Sequence, residues 1–472
     1  MPILYKPSFN HVRTPWMLVL AVAAVGGEYA GLETCKTYVG KLHEYLRKAI
    51  SVLVDQHTAQ TLQVWFAQVV LLSHIIMAYS GSKALILTQQ SQKNLLITLA
   101  RGLGAELKHQ MSLGPTSRST GNETDKINWW WRGEQSRRVI WSIWMLDVET
   151  ALHQGLPTLM LLNDQLDLEL QCPGDVWDTR LNKLNEQAGA RLGLKVSLRE
   201  AFQAMRDSGQ APDLDDFARR VVLLAVYQES RDLVQAAASL QRCGFLEYKS
   251  TGSSDDMASA SGSSGIDAMY GRWRSRTLKA LGVESAETCA VIGPTQLSWQ
   301  YHHVVCIQLF VPLSRLCACS GWMATEKTTE VARREVAAWF RQDGRNSRRA
   351  VMHAAMLFKL MRDRVTHGHV EAHHLLLAAL MLWAYATFGP GGGDGGNGVV
   401  RLDRASDAEG QVWLQDARVV ATVGGVGSIE GREGGRRVVA EARRIMTLGR
   451  AWPVRRRIMD VLDEVLQKGR VE

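Results

Sequence analysis

The stretch "INWWWRGEQSRRVIWSIWMLD", residues 127–147, constrains this chain more than any other. It packs five tryptophans, three arginines and a closing aspartate into the span of one helix and its approach. Arginines interleaved with aromatics suit a nucleic-acid groove, where bases stack on rings and phosphates meet cations. The spacing argues for something else. Val139, Ile140, Ile143, Trp144, Leu146, Val148, Ala151 and Leu152 fall on one wide helical stripe, with Arg137 and Arg138 ahead of it. A stacking platform needs no such stripe, whereas burying each large side chain contributes roughly 1.5–3 kcal/mol. We read a core helix over 134–154, framed by its arginines and aspartate. It stops at "QGLP", where Gly155 and Pro157 supply terminating chemistry.

Helical patterning fills most of the remaining chain. "TPWMLVLAVAAVGG" reads as a buried helix with Pro15 in its first turn. "GLETCKTYVGKLHEYLRKAISVLV" puts Leu32, Tyr38, Leu42, Leu46 and Ile50 on a 3.6-residue stripe. Long helices continue over "TLQVWFAQVVLLSHIIMAYS" and "SQKNLLITLARGLG", parted by Ser-Gly-Ser at 80–82. A helical block covers 213–242. More helices run from "MYGRWRSRTLKAL" through "SWQYHHVVCIQLFVPLSRLCAC" to "VEAHHLLLAALMLWAYATF". "NDQLDLELQCPGD" is a loop or short extended segment. No run alternates β-branched residues between hairpin turns. The expected fold is therefore all-α: a large multi-helix domain over 1–388, with two low-complexity insertions. One is the Ser/Gly/Asp-rich stretch near 249–266. The other is a Gly-rich linker or loop over 389–434, opened by "GPGGGDGGNG" and leading into a basic helical tail over 435–472.

With 472 residues and 46% hydrophobic content, the chain can build a sizeable core. A formal net charge of +8 permits an acidic partner without demanding one. Seven scattered cysteines, of which only Cys317 and Cys319 are close, argue against a disulfide framework and for a reducing compartment. The N-terminus does not have the form of a signal peptide. The longest apolar stretches, 16–26, 64–76 and 375–388, fall short of the ~20 residues a membrane helix needs. No membrane partner is expected.

Motifs that carry chemistry are sparse. Neither finger-type cysteine–histidine spacing nor a six-cysteine cluster occurs. In "THGHVEAHH", 366–374, His369 and His373 stand four apart with His367 and Glu371 nearby. That spacing resembles a two-histidine metal pair but lacks the order of a zinc-protease helix. We read it as a helix N-terminus with partly exposed histidines. Gly391, Gly393 and Gly396 spell G-x-G-x-x-G, but after a helix rather than a strand, so no dinucleotide loop is expected. No nucleophile elbow, P-loop or metalloprotease helix is present. We therefore assign no catalytic, metal-binding or DNA-binding residue. The arginine clusters at 434–444 and 454–460 have Glu441, Asp460, Asp463 and Glu464 beside them, which reads as a solvated helix face.

The core helix and the segment C-terminal to it resemble the central motif of the fungal-specific transcription factor domain, or middle homology region. Arg137 and Arg138 open the helix, which runs through Trp141 to the Leu146–Asp147 pair. Gly155, Leu156 and Pro157 match the turn. Asp164 through Asp167, Cys172 and Pro173, and Asp175 to Trp177 match the acidic stretch and its closing tryptophan. "PILYKPSF" is similar to the family's opening, with Tyr5 where histidine is usual. The resemblance covers roughly 2–388, and its C-terminal half is most typical of members carrying two-cysteine, two-histidine fingers upstream.

This resemblance implies a nuclear, non-enzymatic regulatory domain that modulates RNA polymerase II transcription. DNA contact would belong to an upstream zinc module, expected to be missing here. Zinc is accordingly expected only in that module, with no cofactor in this chain. The implied partners are transcription machinery or regulatory proteins, DNA only indirectly or through the zinc module, and a small-molecule effector. The family-motif residues Arg137, Arg138, Trp141, Leu146, Asp147, Gly155, Pro157 and Asp164 are expected to be structural. Two alternatives stand beside this reading. One is a helical ligand- or protein-binding module without direct DNA binding. The other is an enzyme whose site is not legible in the sequence.

Overall fold

Helices that are apolar on every face must lie at the centre, because no orientation leaves them a side for water. Val64–Ala78 and Glu371–Phe388 are of this kind, and both are buried along nearly their whole length. The computed structural model describes residues 2–30, 33–56, 63–113, 123–180, 196–242, 277, 296–322, 324–364, 368–390, 398–405, 407–416, 418–449 and 452–471. Its first eight helices are α1 (Trp16–Ala30), α2 (Glu33–Gln56), α3 (Val64–Ala78), α4 (Lys83–Leu113), α5 (Glu123–Gln154), α6 (Gly174–Trp177), α7 (Leu198–Ser208) and α8 (Asp216–Arg242). After the gap come α9 (Gln296–Gln308), α10 (Leu313–Ser320), α11 (Glu326–Gln342), α12 (Gly344–Asp363) and α13 (Glu371–Phe388). Three further helices are α14 (Asp407–Gln415), α15 (Gly431–Leu448) and α16 (Val454–Val471).

The chain is predominantly all-α, as its periodicity implied. Helix α3 lies between α1, α4 and α5, while α13 is surrounded by α9, α10, α11, α12, α15 and α16. One contiguous apolar core joins the two groups, running from Ile3 to Val465. No single helix among the described residues is long and apolar enough to cross a membrane.

Three local expectations change. Tyr38 is 68% exposed, and the buried face of α2 is formed by Val39, His43, Leu46 and Ile50. The 4-3-4 spacing of those residues carries a histidine inward, which a purely apolar stripe overlooks. Helix α5 starts at Glu123 rather than 134, because the tryptophan run continues it and packs Trp129, Trp130 and Trp131 with Val176. From Gly133 to His153 that helix is buried nearly all round rather than along one stripe.

The third change lies at 389–434, expected as a linker. There β1 (Val399–Arg401) pairs in parallel with β2 (Val420–Val423), which pairs antiparallel with β3 (Gly427–Ser428). Strands this short show no alternation in a sequence, and the glycines beside them serve turns. Gly425, for example, has φ +79°, a region open to glycine. Helix α15 then packs directly along α13, so the expected boundary at 388 and the separate tail at 435–472 divide nothing in the core. The insertion at 249–266, Gly391, Gly393, Gly396, Leu32 and His367 lie outside the described residues, as does the helix at "MYGRWRSRTLKAL" apart from Thr277, which is helical and buried.

Trp413 on α14 is fully buried, with its ring 5.9 Å from that of Tyr385 on α13. Trp413→Ala should cost about 3–5 kcal/mol and lower a single thermal transition of the whole chain. An early, separate melting step that leaves the main transition unmoved would contradict the shared core.

Candidate functional site

The charged residues of α5 turn inward. Arg138 Nε donates to Glu134 Oε1 at 2.7 Å, one turn back on the helix. That same oxygen accepts from the Cys172 backbone N–H at 2.9 Å. Arg138 Nη2 donates to the Cys172 carbonyl at 2.5 Å, and Nη1 to the Pro2 carbonyl at 3.4 Å. Its guanidinium carbon also sits 4.5 Å from the Trp177 ring centroid. Trp177 Nε1 in turn donates to the Leu4 carbonyl at 3.2 Å, and Tyr5 Oη to the Thr179 carbonyl at 2.6 Å. Arg137 pairs with Glu134 and Glu169, and Trp141 Nε1 donates to the Glu169 carbonyl at 3.0 Å. The chain start, α5 and the segment 169–179 are thereby clamped together.

Asp147 makes a second clamp. Its Oδ1 faces the Lys93 ammonium of α4 at 2.5 Å. Its Oδ2 accepts from the backbone N–H groups of Leu159 and Met160, each at 2.8 Å. The turn that brings those amides back is made at Gly155, with φ +72°. Leu146 is buried in the core. Pro157 and Asp164 are exposed on the loop after α5, Asp164 within the 3-10 turn Leu162–Gln165. Of the motif residues, Arg137, Arg138, Trp141, Leu146 and Asp147 thus tie this helix internally, while Pro157 and Asp164 do not join them.

A further polar group crosses the core two residues along from Asp147. Glu149 is fully buried and accepts hydrogen bonds from Tyr79 Oη at 3.3 Å and from Tyr301 Oη. Burial, then the Glu149 charge, raises both phenols well above their ordinary range. His369 Nε2 lies 3.7 Å from Glu149 Oε2. The His153 and His373 rings stack with centroids 4.6 Å apart, and His374 Nδ1 lies 3.1 Å from Gln300 Oε1. Burial, with the neighbouring histidines, holds His153 well below its ordinary value and takes His373 to about 4 and His374 to about 3. These imidazoles are neutral at pH 7. The His369 and His373 rings both meet the Tyr79 ring edge-on, at 4.7 and 5.7 Å. The signals of this polar group in the sequence were the acidic residue within 148–152 and the histidines of "THGHVEAHH".

This seam opens into a cavity of about 430 Å³. Leu87, Leu313, Leu376, Trp322 and Ile458 supply apolar walls, His153 and His373 the polar floor, and Lys83 and Arg457 cations at the margin. Buried His153 Nε2 and His373 Nδ1 have no hydrogen-bond partner among the described residues. The volume and the few convergent polar atoms suit a small, largely apolar ligand with an acceptor or anionic group. A wider groove of about 1060 Å³ between α1, α2 and α16 carries Glu28, Arg47 and Arg456 on its walls, a poorer match to an apolar ligand.

The C-terminal arginines lie largely on a solvated face, with Arg437, Arg443 and Arg444 exposed and Arg455 buried, and many of them also have partners within the fold. Arg437 donates to the carbonyls of Val426 and Ser428 at 3.0 and 2.7 Å. Arg455 donates to Met446 O and Arg457 to Gly81 O, each at 3.0 Å. Arg443 pairs with Asp463, and Arg444 with Glu441.

Comparison with known proteins places this geometry in context. Residues 1–210 match the family described as the fungal specific transcription factor domain. Over 463 residues, 96% of this chain, the sequence is 21% identical to a protein of Gibberella fujikuroi named "Transcription factor". The chain spans 55% of that relative's length. No solved structure matches.

Two measurements probe the seam. Asp147→Ala leaves the buried Lys93 ammonium without its counter-charge and should destabilise the chain by about 3–5 kcal/mol in urea unfolding. Replacing both partners, Lys93→Met with Asp147→Leu, should cost less than Asp147→Ala alone; an equal or larger loss would show that the pair is not the reason. The second concerns acid. His373 and His374 have folded pKa values below the ~6.5 of an unfolded histidine, so on acidification the unfolded chain takes up protons first. Their contribution is complete above pH ~6.5 and is lost as pH falls toward about 4, the folded value of His373. The thermal midpoint should drop across that window, and less so in His373→Gln. Identical slopes in the two proteins would refute this.

Proposed function

We propose that this chain, whose residues 1–210 match the fungal specific transcription factor domain, is the regulatory part of a nuclear transcription factor. It modulates RNA polymerase II transcription and is not an enzyme. Sequence-specific DNA contact comes from a zinc module outside these 472 residues. The observation that carries the reading is the alignment of 96% of the chain with a protein named as a transcription factor. The internal engagement of Arg137 and Arg138 supports the division of labour, because paired, buried guanidinium groups cannot also neutralise phosphates. The apolar cavity with its histidine floor supports a small-molecule effector, and transcription machinery or regulatory proteins would be the partners of the outer surface.

A second reading, a helical ligand-binding module that does not regulate DNA directly, also draws on the cavity. One experiment separates the two. The chain is fused to a heterologous DNA-binding domain and placed upstream of a reporter in a fungal cell. A several-fold change in transcription, up or down, is expected. Ala318→Phe, which narrows the cavity, should alter that change while leaving expression level intact. A fusion that reaches the nucleus and leaves the reporter at baseline would sink the transcriptional reading and favour the second. In gel-shift titrations the isolated chain should show no sequence preference, and Arg137→Ala should leave the salt dependence of any residual DNA binding unchanged.

A further inference from the structure

Away from the cavity, α9 and α12 bring three imidazoles together. His302 and His303 are consecutive on α9, and His353 faces them from α12. His303 Nδ1 and His353 Nδ1 stand 3.0 Å apart. One ligand nitrogen from each of the three lies within 4.8 Å of the other two. His302 Nε2 also lies 3.5 Å from the Cys306 sulfur one turn on.

The hydrogen-bond accounting of this cluster does not close. His302 Nδ1 and His303 Nε2 are buried without a partner among the described residues. Two Nδ1 atoms facing each other can share only one proton between neutral rings. Among the described residues no carboxylate joins the group to make an imidazolium worthwhile. A neutral imidazole keeps one unprotonated nitrogen, the state in which it ligates a metal. His302 and His303 are buried, whereas His353 is partly exposed, which leaves an approach from solvent on one side.

We propose that His302, His303 and His353 bind one divalent transition-metal ion, zinc by ligand chemistry, with the fourth position taken by water or an incoming donor. Tetrahedral zinc with Zn–N bonds near 2.0–2.1 Å sets its nitrogens about 3.4 Å apart. Side-chain rotations that draw the present nitrogens together by an ångström or so reach that spacing. Three neutral nitrogen ligands with one open position make a site of the exchangeable kind rather than a closed structural centre. The ion would cross-link α9 to α12. The assignment rests on this geometry alone and is independent of the transcriptional reading.

The test uses the full chain stripped with a chelator and titrated with Zn²⁺ against a chromophoric competitor. One ion per chain is expected. His353→Gln, at the partly exposed corner, should weaken binding at least tenfold, and His303→Gln likewise. His369→Gln and His373→Gln serve as controls and should bind as the unaltered chain does. Circular dichroism checks that each variant folds. Should the His303 variant not fold, the Co²⁺ spectrum of the unaltered chain decides independently. Weak visible bands of nitrogen and oxygen coordination are expected, without an intense near-ultraviolet sulfur band. No binding by the unaltered chain, undiminished binding in a folded His353→Gln, or a strong sulfur band would each overturn the assignment.

Discussion

The buried Arg138–Glu134 pair is the interaction on which the N-terminal half depends. A guanidinium fully inside a protein must have every donor engaged, because leaving one charge unpaired costs more than the pair contributes. Arg138 meets that demand by reaching outside its own helix, to Pro2 and Cys172. The consequence is topological. The first residues of the chain and the segment beyond Cys172 are held where the guanidinium needs them. Trp177 and Tyr5 then close over it with their own hydrogen bonds. A helix buried only through apolar contacts would specify no such arrangement, since hydrophobic burial has no direction.

The same logic runs down α5. Asp147 ties α4 to the turn after Gly155, and Glu149 draws in Tyr79 from the end of α3 and Tyr301 from α9. A single helix thus carries successive polar anchors, each recruiting a different element to the core. His153 Nδ1, 3.4 Å from Tyr79 Oη, joins the last of them to the cavity, whose polar floor it supplies with His373. Binding there would act on His153 and His373, which stand between that cavity and the Glu149 network.

Helix positions were largely legible in the sequence because 3.6-residue periodicity is local. The motif residues on α5, Arg137, Arg138, Trp141, Leu146 and Asp147, could be picked out together because their spacing along one helix is local too. Legibility ended where the partner is distant in sequence. Nothing around Glu149 indicates Tyr79 or Tyr301, and nothing in "SWQYHHVV" indicates His353. Short strands at 399–428 were missed for a different reason. Two to four residues are too few to show a period, and their glycines read as linker composition rather than as turns.

By itself the sequence determined that this chain is helical, that 134–154 is a core helix rather than a nucleic-acid platform, and that its turn falls at Gly155. Each comes from interactions within a few residues: apolar spacing, helix-stop chemistry and the cost of exposing large side chains. Only the tertiary structure decided that the arginines and aspartate of that helix are buried ties rather than framing. It alone joined 399–471 to the main core and assembled histidines from different helices into a cavity floor and a nitrogen cluster. Those outcomes depend on where charges and ring nitrogens meet in space. Such meetings are set by the packing of whole helices, and no local pattern encodes them.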